Sequence, residues 1–291
     1  MLLSVRRVSS SPSMLGESPV WDAQNEYLYW VDGVSCKIHR YDPRNEGFRE
    51  WSLPSMVGSV GLSQGHRLVV GLQDGIYEFD LETSDLKTLF QFSEPDDRVR
   101  FNDGKVDRQG RFICGSMGVN ADPRGELYRV SADGHAEVLA NGIRISNAIC
   151  FSPTGNTIYF ADSMDRTIRS YRYSASGEPL EEPSIYLDTN PYGSAPDGAT
   201  VDSEGYLWVA LIQASKIGRF DPEGRLDRLI DAPIDMPSCL AFGGPDMSTL
   251  YLTSIKDSGT GRAASRHPAG GHVFAIEGLG TTGIPESRFG D

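Results

Sequence analysis

Histidine and cysteine are scarce in this chain, at five and four residues among 291. The cysteines, Cys36, Cys114, Cys150 and Cys239, stand far apart with no CxxC pair, and the histidines form no metal-spaced cluster. A zinc site of the His/Cys type is therefore not expected, and the thiols read as reduced and mostly buried, as in a cytoplasmic protein. Lys and Arg never gather into a block. Forty acidic against 27 basic residues leave a net charge of -13, a field that repels nucleic acid and anionic membrane while tolerating bound cations. No apolar run approaches a membrane span, and the opening MLLSVRRVSSSP has too short an apolar stretch for a signal peptide. There is no GxSxG elbow, and no histidine lies beside an aligned motif, so a nucleophilic serine is not expected. Helical periodicity is weak throughout.

What is present is a repeat. The 32 glycines and 17 prolines are scattered singly among short apolar runs, the punctuation of an all-β chain. One kind of run recurs six times: YLYWVD (27–32), RLVVGL (67–72), RFICGS (111–116), TIYFAD (157–162), YLWVAL (206–211) and TLYLTS (249–254). Each is rich in aromatic or β-branched residues and bounded by turn residues, a strand signature. A weaker strand ending in a tight turn precedes each run, and a third strand follows. A fourth strand can be read in five units. The sixth ends in LGTTGIPESRFGD, a poor strand, and LSVRRVS (3–9) is available to replace it. Spacing of about forty to fifty residues is that of propeller blades. The expectation is one domain over 1–291, an all-β six-bladed propeller of four-stranded blades, with residues 3–9 completing the last blade and removing the open edge.

Aligned on their second strands, the blades begin near Glu17, Gly58, Asn102, Asn147, Asp197 and Ser238. First strands line the central channel of a propeller, so these residues converge at one end of it. Any one alone reads as a turn cap. Together, Glu17, Asn102, Asn147 and Asp197 bring carboxylate and amide oxygens to one point, and without a cation the carboxylates would repel one another. Such a set suits one hard divalent cation, Ca²⁺ first by ligand type, with Mg²⁺ or Mn²⁺ as alternatives and Zn²⁺ or Fe²⁺ with open positions not excluded. Gly58 and Ser238 leave part of the ring open, as a substrate-accessible site requires.

The segments LGESPVW (15–21), RFNDGKVDRQGRF (100–112), SNAICFSPTGNTIYFADS (146–163), PDGATVDSEGYLWVA (196–210) and PSCLAFGGPDMSTLYLTS (237–254) closely resemble, in order and over nearly the whole chain, the gluconolactonase/regucalcin (senescence marker protein) family. The resemblance implies an axial divalent cation and hydrolysis of sugar lactones. It puts the family's metal ligands on Glu17, Asn147 and Asp197, and its substrate-binding Arg and Asn on Arg100 and Asn102. Asp103 reads as an Asx-turn holding Asn102. A further pocket acid of some members falls in GVNADPRGELY (118–128), where Asp122 and Glu126 compete.

A sugar lactone is an internal ester. The cation is expected to polarise its carbonyl and to activate a water, with Asp197 as general base as well as ligand. Arg100 would bind substrate hydroxyls or the product carboxylate, or else pair at the surface with Asp96 or Asp97. Rival readings are a phosphotriesterase or aryl esterase on the same fold, and a non-catalytic Ca²⁺-binding regulatory protein. A monomer is the default, and SGTGRAASRHPAGG (258–271) reads as an insertion in blade six that covers the pocket.

Overall fold

The computed structural model describes residues 3–94 and 96–291. Among them, 24 strands form six antiparallel four-stranded sheets, and helix is limited to three single 3₁₀ turns. The six sheets stand in a ring, a six-bladed β-propeller. Four of the six expected second strands coincide with observed ones: Tyr27–Asp32, Arg67–Leu72, Thr157–Asp162 and Thr249–Ser254. The other two, Phe112–Gly118 and Leu207–Leu211, are displaced by a residue or two at their ends, where turns compete for the backbone. The last sheet is completed by Ser4–Arg7, which pairs antiparallel with Phe274–Glu277.

The innermost strands are Gly16–Asp22, Val57–Leu62, Val99–Val106, Ser146–Phe151, Pro196–Val201 and Pro237–Gly243. Each packs against the inner strands of its two neighbours, and Gly16–Asp22 closes the circle against Pro237–Gly243. Four of the six are buried at every residue, because adjacent blades cover both faces. Outer strands such as Leu226–Asp231 alternate between half-buried and exposed positions. Aromatic side chains fill the wedges between blades: Trp21 stacks on Tyr251, and Trp208 meets Phe242 edge-on, each pair 5.7 Å apart. Trp21 is almost fully buried, so Trp21→Ala would cost about 3–5 kcal/mol.

Every inner strand is irregular at the same place. Its pairing with the second strand slips between Glu17 and Val20, Val57 and Ser59, Phe101 and Gly104, Asn147 and Cys150, Pro196 and Ala199, and Pro237 and Leu240. A bulge re-aims side chains, and here it does so at the end where the inner strands begin. In two blades the bulge needs a left-handed residue, Ser18 (φ 50°) and Ala148 (φ 56°).

The other end of the channel is closed by the C-terminal segment. Phe289 is buried and bridges to Ser63, Gly283 bridges to Asp202, and Glu286 reaches Lys105 on an inner strand at 3.1 Å. The void left among Asp103, Lys105, Cys239 and Glu286 is about 10 Å³, barely enough for one water.

Candidate active site

At the open end the bulges surround a cavity of about 170 Å³. Glu17, Arg100, Asn102, Asn147 and Asp197 all line it, with Leu15, Met117, Ile145, Met236 and Ile255 among its apolar walls. A larger depression of about 630 Å³ beside blade four is an open polar surface around Glu178, Glu181 and Glu182. It holds neither Glu17 nor Asp197, which both line the smaller cavity.

Two members of the aligned column do not reach that cavity. A side chain at Gly58 would come within 2.4–2.6 Å of the backbone of Phe101 and Asn102, so only glycine fits. Ser238 is turned into the seam between blades six and one, where its hydroxyl donates to the Gly16 carbonyl at 2.5 Å and meets Thr253 Oγ1 at 2.9 Å.

Of the remaining four, Asn102 and Asn147 are joined by a relay of hydrogen bonds that runs from Arg100 to the residue before Asp197. Arg100 Nη1 donates to Phe101 O (2.9 Å) and Asn102 Oδ1 (2.7 Å). Asn102 Nδ2 donates to Ser146 O (2.8 Å) and Asn147 Oδ1 (3.1 Å). Asn147 Nδ2 donates to Ser163 Oγ (2.9 Å), which donates to Pro196 O (2.7 Å), the residue before Asp197. The relay fixes the Asn147 amide and leaves an oxygen lone pair unused. Asn102 spends both amide hydrogens on it.

The carboxylates are treated differently. Among the described residues neither Glu17 nor Asp197 forms a salt bridge, and the backbone of the following residue, Ser18 or Gly198, offsets little of the burial. Glu17 is half-buried and lines the cavity, whereas Asp197 is buried. Burial, then the charges of Asp197 and Asp103, push Glu17 well above the usual carboxylate range, against the pull of Arg100. Burial and Asp103 do the same to Asp197, and burial lifts Asp103 to about 6. Burial lowers the Arg100 guanidinium to about 10, with Glu17 opposing the shift and Arg262 adding to it. Two acids lining one cavity, with the charge of Asp103 behind them, form an arrangement that a bound divalent cation would relieve. Oxygen ligands from Glu17, Asn147 and Asp197 fit such an ion. Among the described residues no three His, Cys, Asp or Glu side chains gather as a metal site, because the third oxygen here is an amide.

Several expectations need correction. Asp103 makes no Asx-turn: its Oδ2 accepts the Ile149 N–H at 2.8 Å, tying blade three to blade four. Arg100 does not pair at the surface, since it is buried, and Asp96 is held by Arg98 at 2.7 Å. Neither Asp122 nor Glu126 lines the cavity; Asp122 binds Arg124, and Glu126 lies in Gly125–Val130 and meets the Tyr128 hydroxyl.

Sequence reasoning passed over Ser163 and two braces. Asp32 accepts the N–H groups of Met14 (2.8 Å) and Leu15 (3.1 Å), just before Glu17. Asp162 does the same for Arg144 (2.9 Å) and Ile145 (3.2 Å), just before Asn147. The signal was there: an Asp ends both YLYWVD and TIYFAD, at the same offset from the column residue.

Comparison with known proteins agrees with this geometry. The family described as SMP-30/Gluconolactonase/LRE-like region matches residues 15–256. The chain is 33% identical to 6-deoxy-6-sulfogluconolactonase of Pseudomonas putida, covering 98% of each chain. It is 31% identical to regucalcin of Xenopus laevis, over 99% of this chain and 98% of that one. Among solved structures, a calcium-binding regucalcin of Agrobacterium tumefaciens superposes with a TM-score of 0.91 at 26% identity, covering 99% of this chain and 97% of the other. The chain belongs to the SMP-30/gluconolactonase/LRE-like family.

Proposed function

We propose that this chain is a sugar lactone lactonase that opens aldonolactones to aldonic acids, using one divalent cation held by Glu17, Asn147 and Asp197. The observation that carries the reading is the pair of cavity-lining carboxylates, Glu17 and Asp197, without a cationic partner, beside an amide oxygen fixed from a third blade. Family membership and relatives named as lactonases support the reaction class.

When bound, a divalent cation supplies Lewis-acid charge that polarises the lactone carbonyl and acidifies water. The chain supplies the rest. Three protein oxygens would leave at least half of the six to eight positions of a Ca²⁺ shell to water and substrate. Asp197 takes the proton of the attacking water on a carboxylate oxygen, a role suited to an acid whose environment raises its basicity. Arg100 has committed Nη1 and keeps its Nε and Nη2 donors for lactone hydroxyls and the product carboxylate. Asn102 acts chiefly by holding Asn147. Apolar side chains at the walls limit water around the carbonyl. No histidine lines the cavity, and Ser163 Oγ donates to a carbonyl, so the serine has no base to activate it.

The test is δ-lactone hydrolysis by protein stripped with chelator and resupplied separately with Ca²⁺, Mg²⁺, Mn²⁺, Zn²⁺ and Fe²⁺, with a phosphotriester assayed in parallel. Activity should vanish on stripping and return with one ion. Full activity in stripped protein would sink the metal assignment. Faster turnover of the phosphotriester would move the substrate class, and binding of Ca²⁺ without any turnover would favour a regulatory role.

A further inference from the structure

Residues 256–270 of blade six reach over the open end of the channel. Ser258, Thr260, Arg262 and Ala263 line the cavity, as the sequence led one to expect of an insertion there. The loop is braced rather than loosely hung: Asp257 bridges to Ala264, Ser258 N donates to Ala263 O at 2.9 Å, and Asp235 Oδ2 accepts from Arg266 N at 2.7 Å. Arg262 projects from it and donates through Nη2 to the Val119 carbonyl at 2.6 Å, so it spans from blade six to the facing blade three.

Most arginines near carboxylates in this acidic protein are paired, as Arg44, Arg98, Arg111 and Arg219 are. Arg262 forms no such pair among the described residues. One of its donors is committed to a carbonyl, and the others remain for a ligand. The second guanidinium lining the cavity belongs to Arg100. The cavity is therefore polarised, with Glu17 and Asp197 as its acids and two arginines free of carboxylate partners as its bases. A neutral sugar offers a second unpaired guanidinium only hydroxyl acceptors, whereas an anion offers it a charge-assisted, bidentate partner.

We propose that Arg262 is a specificity-determining residue that recognises an anionic group at the end of the substrate remote from the lactone carbonyl, so that the preferred substrates are acid-bearing aldonolactones. Phosphate, sulfonate and carboxylate share the required chemistry. The inference rests on the lactonase reading and narrows its substrate class.

The experiment compares kcat/KM for glucono-δ-lactone with that for its 6-phosphate, its 6-sulfonate and the C6 carboxylate analogue, using metal-loaded wild type, Arg262→Gln and Arg262→Lys. Wild type should favour at least one anionic lactone, and which one identifies the anion. Arg262→Gln should erase about 10- to 100-fold of that preference, and Arg262→Lys should keep part of it. Equal losses on charged and neutral lactones would make Arg262 a clasp between blades and overturn the proposal. A wild-type preference for the neutral lactone would overturn it too. Turnover of no lactone would instead fail the lactonase reading. Calorimetric binding of 6-phosphogluconate against gluconate then decides: selectivity lost in Arg262→Gln upholds the anion site, and no selectivity overturns it.

Discussion

The two ends of the central channel carry buried charge in opposite conditions. At the sealed end Lys105 meets Glu286, Asp22 meets Arg288, and Asp202 accepts from Arg219 and from Trp208 Nε1. Burial pulls the Lys105 ammonium down and Glu286 pulls it up, with the balance above its ordinary value. At the open end Glu17 and Asp197 line one cavity, each raised above its ordinary range by burial and by like charge, with Arg100 offsetting Glu17 alone. The same fold satisfies its acids where it needs a plug and leaves them unsatisfied where it needs a ligand. Unpaired charge at the open end is what supports placing the proposed site there.

The comparison can be broken at either end. The largest effect is expected from Asp197→Asn, which removes one of the opposed charges: lactone hydrolysis should fall about a thousandfold, the scale of losing several kcal/mol of Lewis-acid stabilisation. Metal-free melting should stay level or rise, and a melting loss matching the activity loss would contradict a binding role. At the sealed end Lys105→Met should instead cost about 3–5 kcal/mol in urea denaturation by leaving Glu286 buried and unpaired. Lys105→Met with Glu286→Leu should recover most of it, and an unchanged urea midpoint in the single variant would deny the plug its structural role.

Between these lies Ser163→Ala, which frees the Asn147 amide. Cation affinity should drop about 10- to 100-fold in calorimetry while the fold is retained; unchanged affinity would show the relay to be incidental. The smallest effect concerns protons. Because Glu17 and Asp197 titrate above their ordinary values in the folded chain, that chain holds protons the unfolded one has released. Without a cation their contribution to stability therefore falls as pH rises from about 4 through the folded values. Cation binding needs both as carboxylates and expels those protons. Cation binding at pH 6 should release protons, read from binding heats in buffers of different ionisation enthalpy. No release at pH 6 would place both acids in their ordinary range.

Legibility in the sequence divides along a physical line. The six recurrences of an aromatic or β-branched run, and the oxygen-bearing residue at a fixed place before four of them, follow from strand periodicity within a blade, which local sequence encodes. So six-bladed closure by Ser4–Arg7 and the gathering of Glu17, Asn102, Asn147 and Asp197 at one cavity could be read before any coordinates. What stayed hidden lies between blades. Asp103 reaches Ile149 across 46 residues, Arg262 reaches Val119 across 143, and Ser238 reaches Gly16 across 222. Gly58 is dictated by the backbone of the next blade, and residues 279–291, a poor strand by composition, became the channel's seal.

The sequence by itself determined the repeat, the ring and the chemical character of the site, because each rests on residue type at a regular spacing. The tertiary structure alone decided which oxygens face the cavity, which acids go unpaired and which arginines attend them. Those outcomes depend on bulges that re-aim side chains and on contacts between blades, whose partners have no fixed separation along the chain.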